Sequence, residues 1–343
     1  VIVMAVLTGI YVIAGGYMAT AINDFIQGII MLFGICAVIA AVLQSKGGFT
    51  EAMHSLAEVQ DPEATTMNGA FASFLGPDPL NLLGVVVLTS LGTWGLPQMV
   101  QKFYAINSEN AIKKGTIIST LFAVVVSGGC YFLGGFGRLF SDQVDVVANG
   151  FDSIIPTMLS GLSDALIGLV VLLVLSASMS TLSSLVIASS STLTLDFINK
   201  NFIKDMSEKT QVRMIRVLIV VFILISVVIA LIQYNSSVTF IAQLMGISWG
   251  ALAGSFLGPL IYGLYWKKTT KSGCWASFIF GAGTMILVML CPQIFPAVLQ
   301  SPINAGAFAM IASLILVPVV SLLTPKPSDK LVDECFRCYE APA

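Results

Sequence analysis

Charge is scarce in this chain: Asp, Glu, Lys and Arg make up 10% of its 343 residues, and there is a single His. A soluble domain carries roughly 25% charged residues. With 57% hydrophobic residues and a mean hydropathy of +0.93, the chain reads as an integral membrane protein. The ten-residue alternating segments of a membrane barrel are missing, which leaves helices. No initiator Met, basic leader or cleavage signal accompanies the apolar run at Val1, so that run is not a secretory leader, and the chain is expected to be N-terminally incomplete. Enzyme motifs are missing too. Gly134–Arg138, "GGFGR", closes an apolar stretch with no strand before it, unlike a phosphate loop. With no soluble catalytic domain, the chain is not expected to be an enzyme, and nothing in it points to a cofactor or a nucleic-acid partner. Cys36, Cys130, Cys274 and Cys291 lie in or beside apolar stretches, and Cys335 and Cys338 form one isolated CxxC. A zinc site wants four ligands, so all six are expected to be unpaired thiols.

What is present is apolar length. A bilayer core takes about 20 apolar residues in helical form, and nine stretches qualify: 1–20, 24–44, 80–100, 116–137, 165–190, 214–233, 238–266, 274–292 and 305–324. Of the 16 Lys and Arg, 14 fall in the segments 102–114, 200–216, 267–271 and 326–337, and only Lys46 and Arg138 lie elsewhere. Nine crossings put those four segments on one side, which the positive-inside rule makes cytoplasmic. The C-terminus is therefore expected inside, Val1 outside, and the acidic segments 45–79 and 138–164 outside as solvated loops, with His54 exposed. The tail 325–343 is polar and expected to be mobile.

The most unusual stretch is Ser176–Asp196, "SASMSTLSSLVIASSSTLTLD", in which eleven of twenty-one residues are Ser or Thr. At 100° per residue, Ser176, Ser180, Ser183, Ser184, Ser190, Ser191 and Thr194 share about 120° of arc. Small residues and hydroxyls that bond back to the previous turn account for many of them. A sharper reading takes the carbonyl of Ala177 with the side chains of Ser180 and Thr181, three neutral hard oxygens on one flank, which suit a small hard cation such as sodium. Proton-coupled carriers usually need an ionisable group within the membrane. Here the one candidate is Asp24, at an expected helix start, so sodium is favoured.

Three further stretches carry candidate chemistry. In "LTSLGTWGLPQMVQKFYA", Leu88–Ala105, Gly92, Gly95 and Pro97 are expected to break the helix. Irregular backbone at membrane depth survives where it is buried or lines a cavity, which makes Thr93, Trp94 and Gln98 candidate solute contacts, against a simple proline kink. Asp24, in "INDFIQG", either caps the following helix or attracts a departing cation as an ion-exit residue. Gln243 lies in an apolar helix where Gly246, Gly250 and Gly254 have small-xxx-small spacing; the glycines are read as packing, Gln243 as a further solute contact.

Together these stretches resemble the sodium:solute symporter family. "YVIAGGYMA" followed by Asp24 and Gln27, "GLPQMVQKFYA", "SMSTLSS" with Ser180 and Thr181, and "GLYWKKTTKSG" match family motifs in order. The resemblance implies an all-α five-plus-five inverted-repeat carrier. It places 1–44 as the last two helices of the first repeat, 45–79 as an extracellular loop, 80–266 as the second repeat with a broken first helix, 267–324 as two peripheral helices and 325–343 as a cytoplasmic tail. It implies sodium-coupled uptake of a small organic solute across the plasma membrane. The alternatives are a proton-coupled amino-acid permease on the same architecture and a transporter-like sensor without flux. Thr89 and Thr93 stand where proline carriers usually show aromatics, which argues against proline.

Overall fold

The computed structural model describes residues 1–62, 64–103, 106, 108–236 and 241–339. Among the described residues every regular element is helical. In hydrocarbon each backbone donor must find its acceptor internally, and a helix does so within one segment. In chain order the principal helices are α1 (Ile2–Ser45), α2 (Phe49–Glu58), α3 (Pro79–Gly95), α4 (Pro97–Phe103), α5 (Glu109–Gly135), α6 (Asp164–Ser191), α7 (Glu208–Ser236), α8 (Ile241–Tyr265), α9 (Lys271–Leu290), α10 (Pro302–Leu323) and α11 (Asp329–Phe336). Among the described residues seven helices are long and apolar enough to cross a membrane, α3 being a shorter apolar helix.

Two of the nine expected stretches, 1–20 and 24–44, are joined in α1, whose 44 residues would measure about 66 Å if straight. They are not straight. Gly16 has φ 58 and ψ −152, a conformation open to glycine and costly for any other residue. The flanking contacts show how sharply the chain turns. Tyr11 Oη donates to the Met179 carbonyl at 3.2 Å, while Gly34 packs against Leu173. A straight helix from Tyr11 to Gly34 would rise about 35 Å, yet their partners are about 9 Å apart along α6. The element is therefore two limbs folded at Gly16, not at the polar pair Asn23–Asp24 where the sequence suggested a boundary. Glycine geometry decides the turn; polarity does not.

The other ends follow local chemistry. Pro79 opens α3, and the Asp78 side chain accepts from Asn81 N at 3.0 Å, a pairing of N-cap and N1 proline that helix starts favour. Ser108 caps α5 through Ala111 N at 3.2 Å, and Thr270 caps α9 through Gly273 N at 3.2 Å. After Ser191 the hydroxyl-rich helix continues through a π turn, Thr192–Ile198, into Asn199–Asn201. In the tail, Asp329–Phe336 is helical and Arg337–Tyr339 forms a 3₁₀ turn.

The chain divides into two compact units. In the first (1–62, 66–73 and 105–238), Ile35, Val38 and Val42 of α1 bury against Leu133, Phe140, Met158 and Leu159. Ala5 and Val12 of the other limb bury with Val186, Ile219 and Ile223. The two basic residues outside the four basic segments both brace the loop after α1. Lys46 Nζ donates to the Leu139 carbonyl at 2.9 Å and sits 4.0 Å over the Phe140 ring. Arg138 pairs with Asp61 at 2.7 Å and lies 4.8 Å over Phe71. His54 is exposed.

In the second unit (63–65, 74–104 and 239–343), glycines set the spacing of α8, α9 and α10. A Cβ on Gly250 would come within 2.6 Å of Gly306 Cα, one on Gly246 within 2.9 Å of the Pro302–Ile303 backbone, and Gly281 meets the backbone of Gly254 and Ser255 directly. Two prolines lie inside these helices, Pro259 in α8 and Pro318 in α10. Each deprives the carbonyl four residues earlier of its donor, and a neighbouring helix supplies another. Ser277 Oγ donates to the Ser255 carbonyl at 3.0 Å, and Tyr262 Oη to the Leu314 carbonyl at 2.9 Å. Ser277 also meets Ser313 Oγ at 2.7 Å, which accepts from Gly258 N at 2.9 Å.

Candidate functional site

On α6 and its π extension, Ser176, Ser183, Ser190 and Thr194 are buried together with Val186. This stripe is where the hydroxyls pack. Several bond back along their own helix: Ser183 Oγ to the Ser180 carbonyl at 2.9 Å, Ser190 Oγ to Val186 at 2.5 Å and Ser191 Oγ to Ala188 at 3.0 Å. Thr8 and Thr194, both fully buried, have hydroxyls without a hydrogen-bond partner; Thr194 belongs to the hydroxyl face read from the sequence, and Thr8 did not stand out there.

The expected cation residues lie on a more open flank. Ala177 and Ser180 are half-buried and Thr181 is exposed. Thr181 Oγ1 donates to the Ala177 carbonyl at 3.0 Å, so the side-chain and backbone oxygens of the predicted trio already sit side by side. In the absence of an ion, the same geometry is an ordinary back-bonded threonine.

Asp24 is not at a helix start. It lies inside the second limb of α1, half-buried, with Asn23 half-buried and Gln27 buried beside it. Counting from the turn at Gly16, it is about 12 Å up the limb, so it is an acid within the span and not an N-cap. The limb from Gly34 to Val42 lies against Leu159 to Leu173.

In the second unit the expected helix break is real but narrower than the sequence suggested. Leu96 alone is extended, at φ −90 and ψ 112, as a residue before proline prefers, and Pro97 opens α4. Gly92 and Gly95 are not unwound. They are buried helical positions, where a Cβ would meet Trp249 at 2.8 Å and Ala253 at 2.7 Å respectively. They are glycine because a neighbouring helix comes that close. Thr93 Oγ1 donates to the Ser90 carbonyl at 3.1 Å, Trp94 is 65% exposed, and Gln98 and Gln243 are half-buried on α4 and α8. Ala177, Ser180, Thr181 and Asp24 thus belong to the first unit, and Thr93, Trp94, Gln98 and Gln243 to the second.

Long apolar helices, one interrupted before a proline and one filled with hydroxyls, define a multi-pass membrane protein that keeps polar atoms at membrane depth. The chain belongs to the sodium:solute symporter family, which matches residues 1–281. It is 28% identical over 349 residues to the high-affinity proline transporter PutP of Bacillus subtilis (strain 168), covering 98% of this chain and 68% of that protein. It is 26% identical over 288 residues to the sodium/pantothenate symporter of Haemophilus influenzae, covering 84% and 57%, and 27% identical over 334 residues to a sodium/proline symporter of Staphylococcus aureus, covering 95% and 62%. The chain therefore spans between 57% and 68% of the length of these curated relatives. Among solved structures it shares the fold of a Na⁺-coupled sialic acid symporter in a substrate-bound outward-open state. The TM-score is 0.67 at 16% identity, over 95% of this chain and 66% of that one. The family and these relatives are transporters, in keeping with a chain that is not an enzyme.

Proposed function

We propose that the full-length protein takes up a small organic solute across the plasma membrane by coupling it to inward sodium flow, through alternating access. The observation that carries this reading is the pair of oxygens, Ala177 carbonyl and Thr181 Oγ1, 3.0 Å apart on a half-open helix flank in a chain of this family. Sodium is held by Ala177, Ser180 and Thr181. Asp24, within the span, draws the departing ion. Thr93, Trp94, Gln98 and Gln243 contact the solute near the break at Leu96–Pro97.

The two limbs of α1 with α3, α5, α6, α7, α8, α9 and α10 make nine crossings. Residues 1–44 close the first repeat, 45–79 is extracellular, 80–266 is the second inverted repeat, 267–324 is peripheral, and 325–343 is cytoplasmic. The bias of 14 Lys and Arg among 16 supports that orientation.

One observation favours a second reading. Asp24 is an ionisable group within the membrane span, where proton-coupled carriers keep theirs. A panel of labelled solutes, offered to proteoliposomes of the full-length protein under a sodium gradient alone and a proton gradient alone, separates the readings. Sodium-driven accumulation is the expected result. Accumulation under protons alone selects the proton-coupled amino-acid permease, and solute binding without accumulation selects the non-transporting sensor.

A further inference from the structure

A hollow in the second unit is lined by residues that play no part in the sites discussed so far. It lies between α8 and α9, has a volume of about 300 Å³, and is open to the surface. Its wall is a ladder of aromatic rings: Phe256 meets Phe278 edge-on at 5.7 Å, and Phe278 meets Trp275 at 5.6 Å. Pro259 and Cys274 complete the apolar surface, and Lys271 is its one charged lining residue.

The mouth is positive. Lys271 lines it and opens α9, at the positive end of the helix dipole. Lys268 lies three residues earlier in the chain. Trp266 and Trp275, the latter 54% exposed, flank the lysines, as aromatics do at a membrane–water interface. A cavity with a greasy interior and a cationic rim at interfacial depth is complementary to an amphiphile whose head is anionic and whose tail is hydrocarbon. At about 300 Å³ it is at the low end for a small-molecule site, enough for the upper part of one acyl chain.

We infer that this groove binds an anionic phospholipid, with an acyl chain along Phe256, Pro259 and Phe278 and the phosphate at Lys271. Basic pockets between membrane helices take anionic headgroups in this way. The inference is independent of the sodium and solute residues, and its test has no transport readout.

The full-length protein is placed in phosphatidylcholine nanodiscs containing a minor fraction of either brominated phosphatidylglycerol or brominated phosphatidylcholine, and tryptophan emission is recorded. The difference between wild type and Trp275→Phe isolates the indole in the groove. Brominated phosphatidylglycerol should quench that emission with an apparent affinity about fivefold higher than brominated phosphatidylcholine, the scale of one lysine at an anionic surface. Lys271→Gln should remove most of the preference and Lys271→Arg should keep it. Equal quenching by the two lipids overturns the inference, as does an unchanged preference in Lys271→Gln. Reversal of the preference by chain-free glycerol phosphate also overturns it, because the site would then recognise the anion alone.

Discussion

Both units place hydroxyls and small residues inside apolar helices, and the second adds to the back-bonds, such as Ser255 Oγ to the Ala251 carbonyl at 2.6 Å, a set of bonds that cross between helices. On α8, α9 and α10 the polar atoms reach across: Ser277 to the Ser255 carbonyl, Ser313 to Gly258 N, Tyr262 to the Leu314 carbonyl. On α6 they turn back: Thr181 to Ala177, Ser183 to Ser180, Ser191 to Ala188. A hydroxyl bonded across two helices is committed, because moving it leaves two buried groups unpaired. A hydroxyl bonded to its own helix can rotate away at little cost and present its oxygen to something else. Serine density alone therefore does not separate glue from ligand; the direction of the bond does.

The contrast is broken most severely at Gly281, whose position abuts the Gly254–Ser255 backbone. Gly281→Val forces α8 and α9 apart and should cost about 3 kcal/mol, read as loss of monodisperse protein and a lower Tm of the full-length carrier, with or without sodium. The next effect is at Ser313. Ser313→Ala removes the hydroxyl that accepts from Gly258 N and meets Ser277, which should lower stability by about 1 kcal/mol while leaving the half-saturating sodium concentration unchanged. A shifted sodium response there would erase the distinction between committed and available oxygens. The smallest stability effect belongs to Thr181. Thr181→Ala should barely alter Tm, yet raise the sodium concentration for half-maximal uptake about tenfold, equivalent to about 1.4 kcal/mol. Thr181→Ser keeps the oxygen and should stay near wild type, and Ser191→Ala, back-bonded alike, serves as the control. Equal sodium shifts in Thr181→Ala and Ser191→Ala would assign both hydroxyls to packing.

Some of this was legible in the sequence for physical reasons. Apolar length is a composition property, so the expected apolar stretches fall on helices, seven of them long enough to cross a membrane among the described residues, although 80–100 is divided at Leu96. The small-xxx-small glycines of α8 were read as packing and do pack, Gly250 against Gly306 and Gly254 against Ala309. Gly92 and Gly95 were misread as unwinding residues, because a glycine needed for conformation and a glycine needed for a neighbour's approach look identical in one dimension. Gly16 was passed over for the opposite reason: its φ of 58 sits within uninterrupted apolar sequence, while the more conspicuous Asn23–Asp24 drew the boundary. That shift is what moved Asp24 from a cap to the interior of a limb. The donors that replace the bonds lost at Pro259 and Pro318 lie 22 and 52 residues from the carbonyls they rescue, beyond any local pattern.

The turn at Gly16 also bears on how the protein is put into the membrane. Both limbs of α1 together contain one charged residue, Asp24, and no Lys or Arg before Lys46. Orientation during insertion is set by basic residues in the short segments beside the helices, and the fold at Gly16 offers none. The two limbs thus carry no basic signal at their turn, and on the positive-inside rule their direction would come from the segments that flank them. Arginine placed beside the turn would give this hairpin a signal it otherwise borrows.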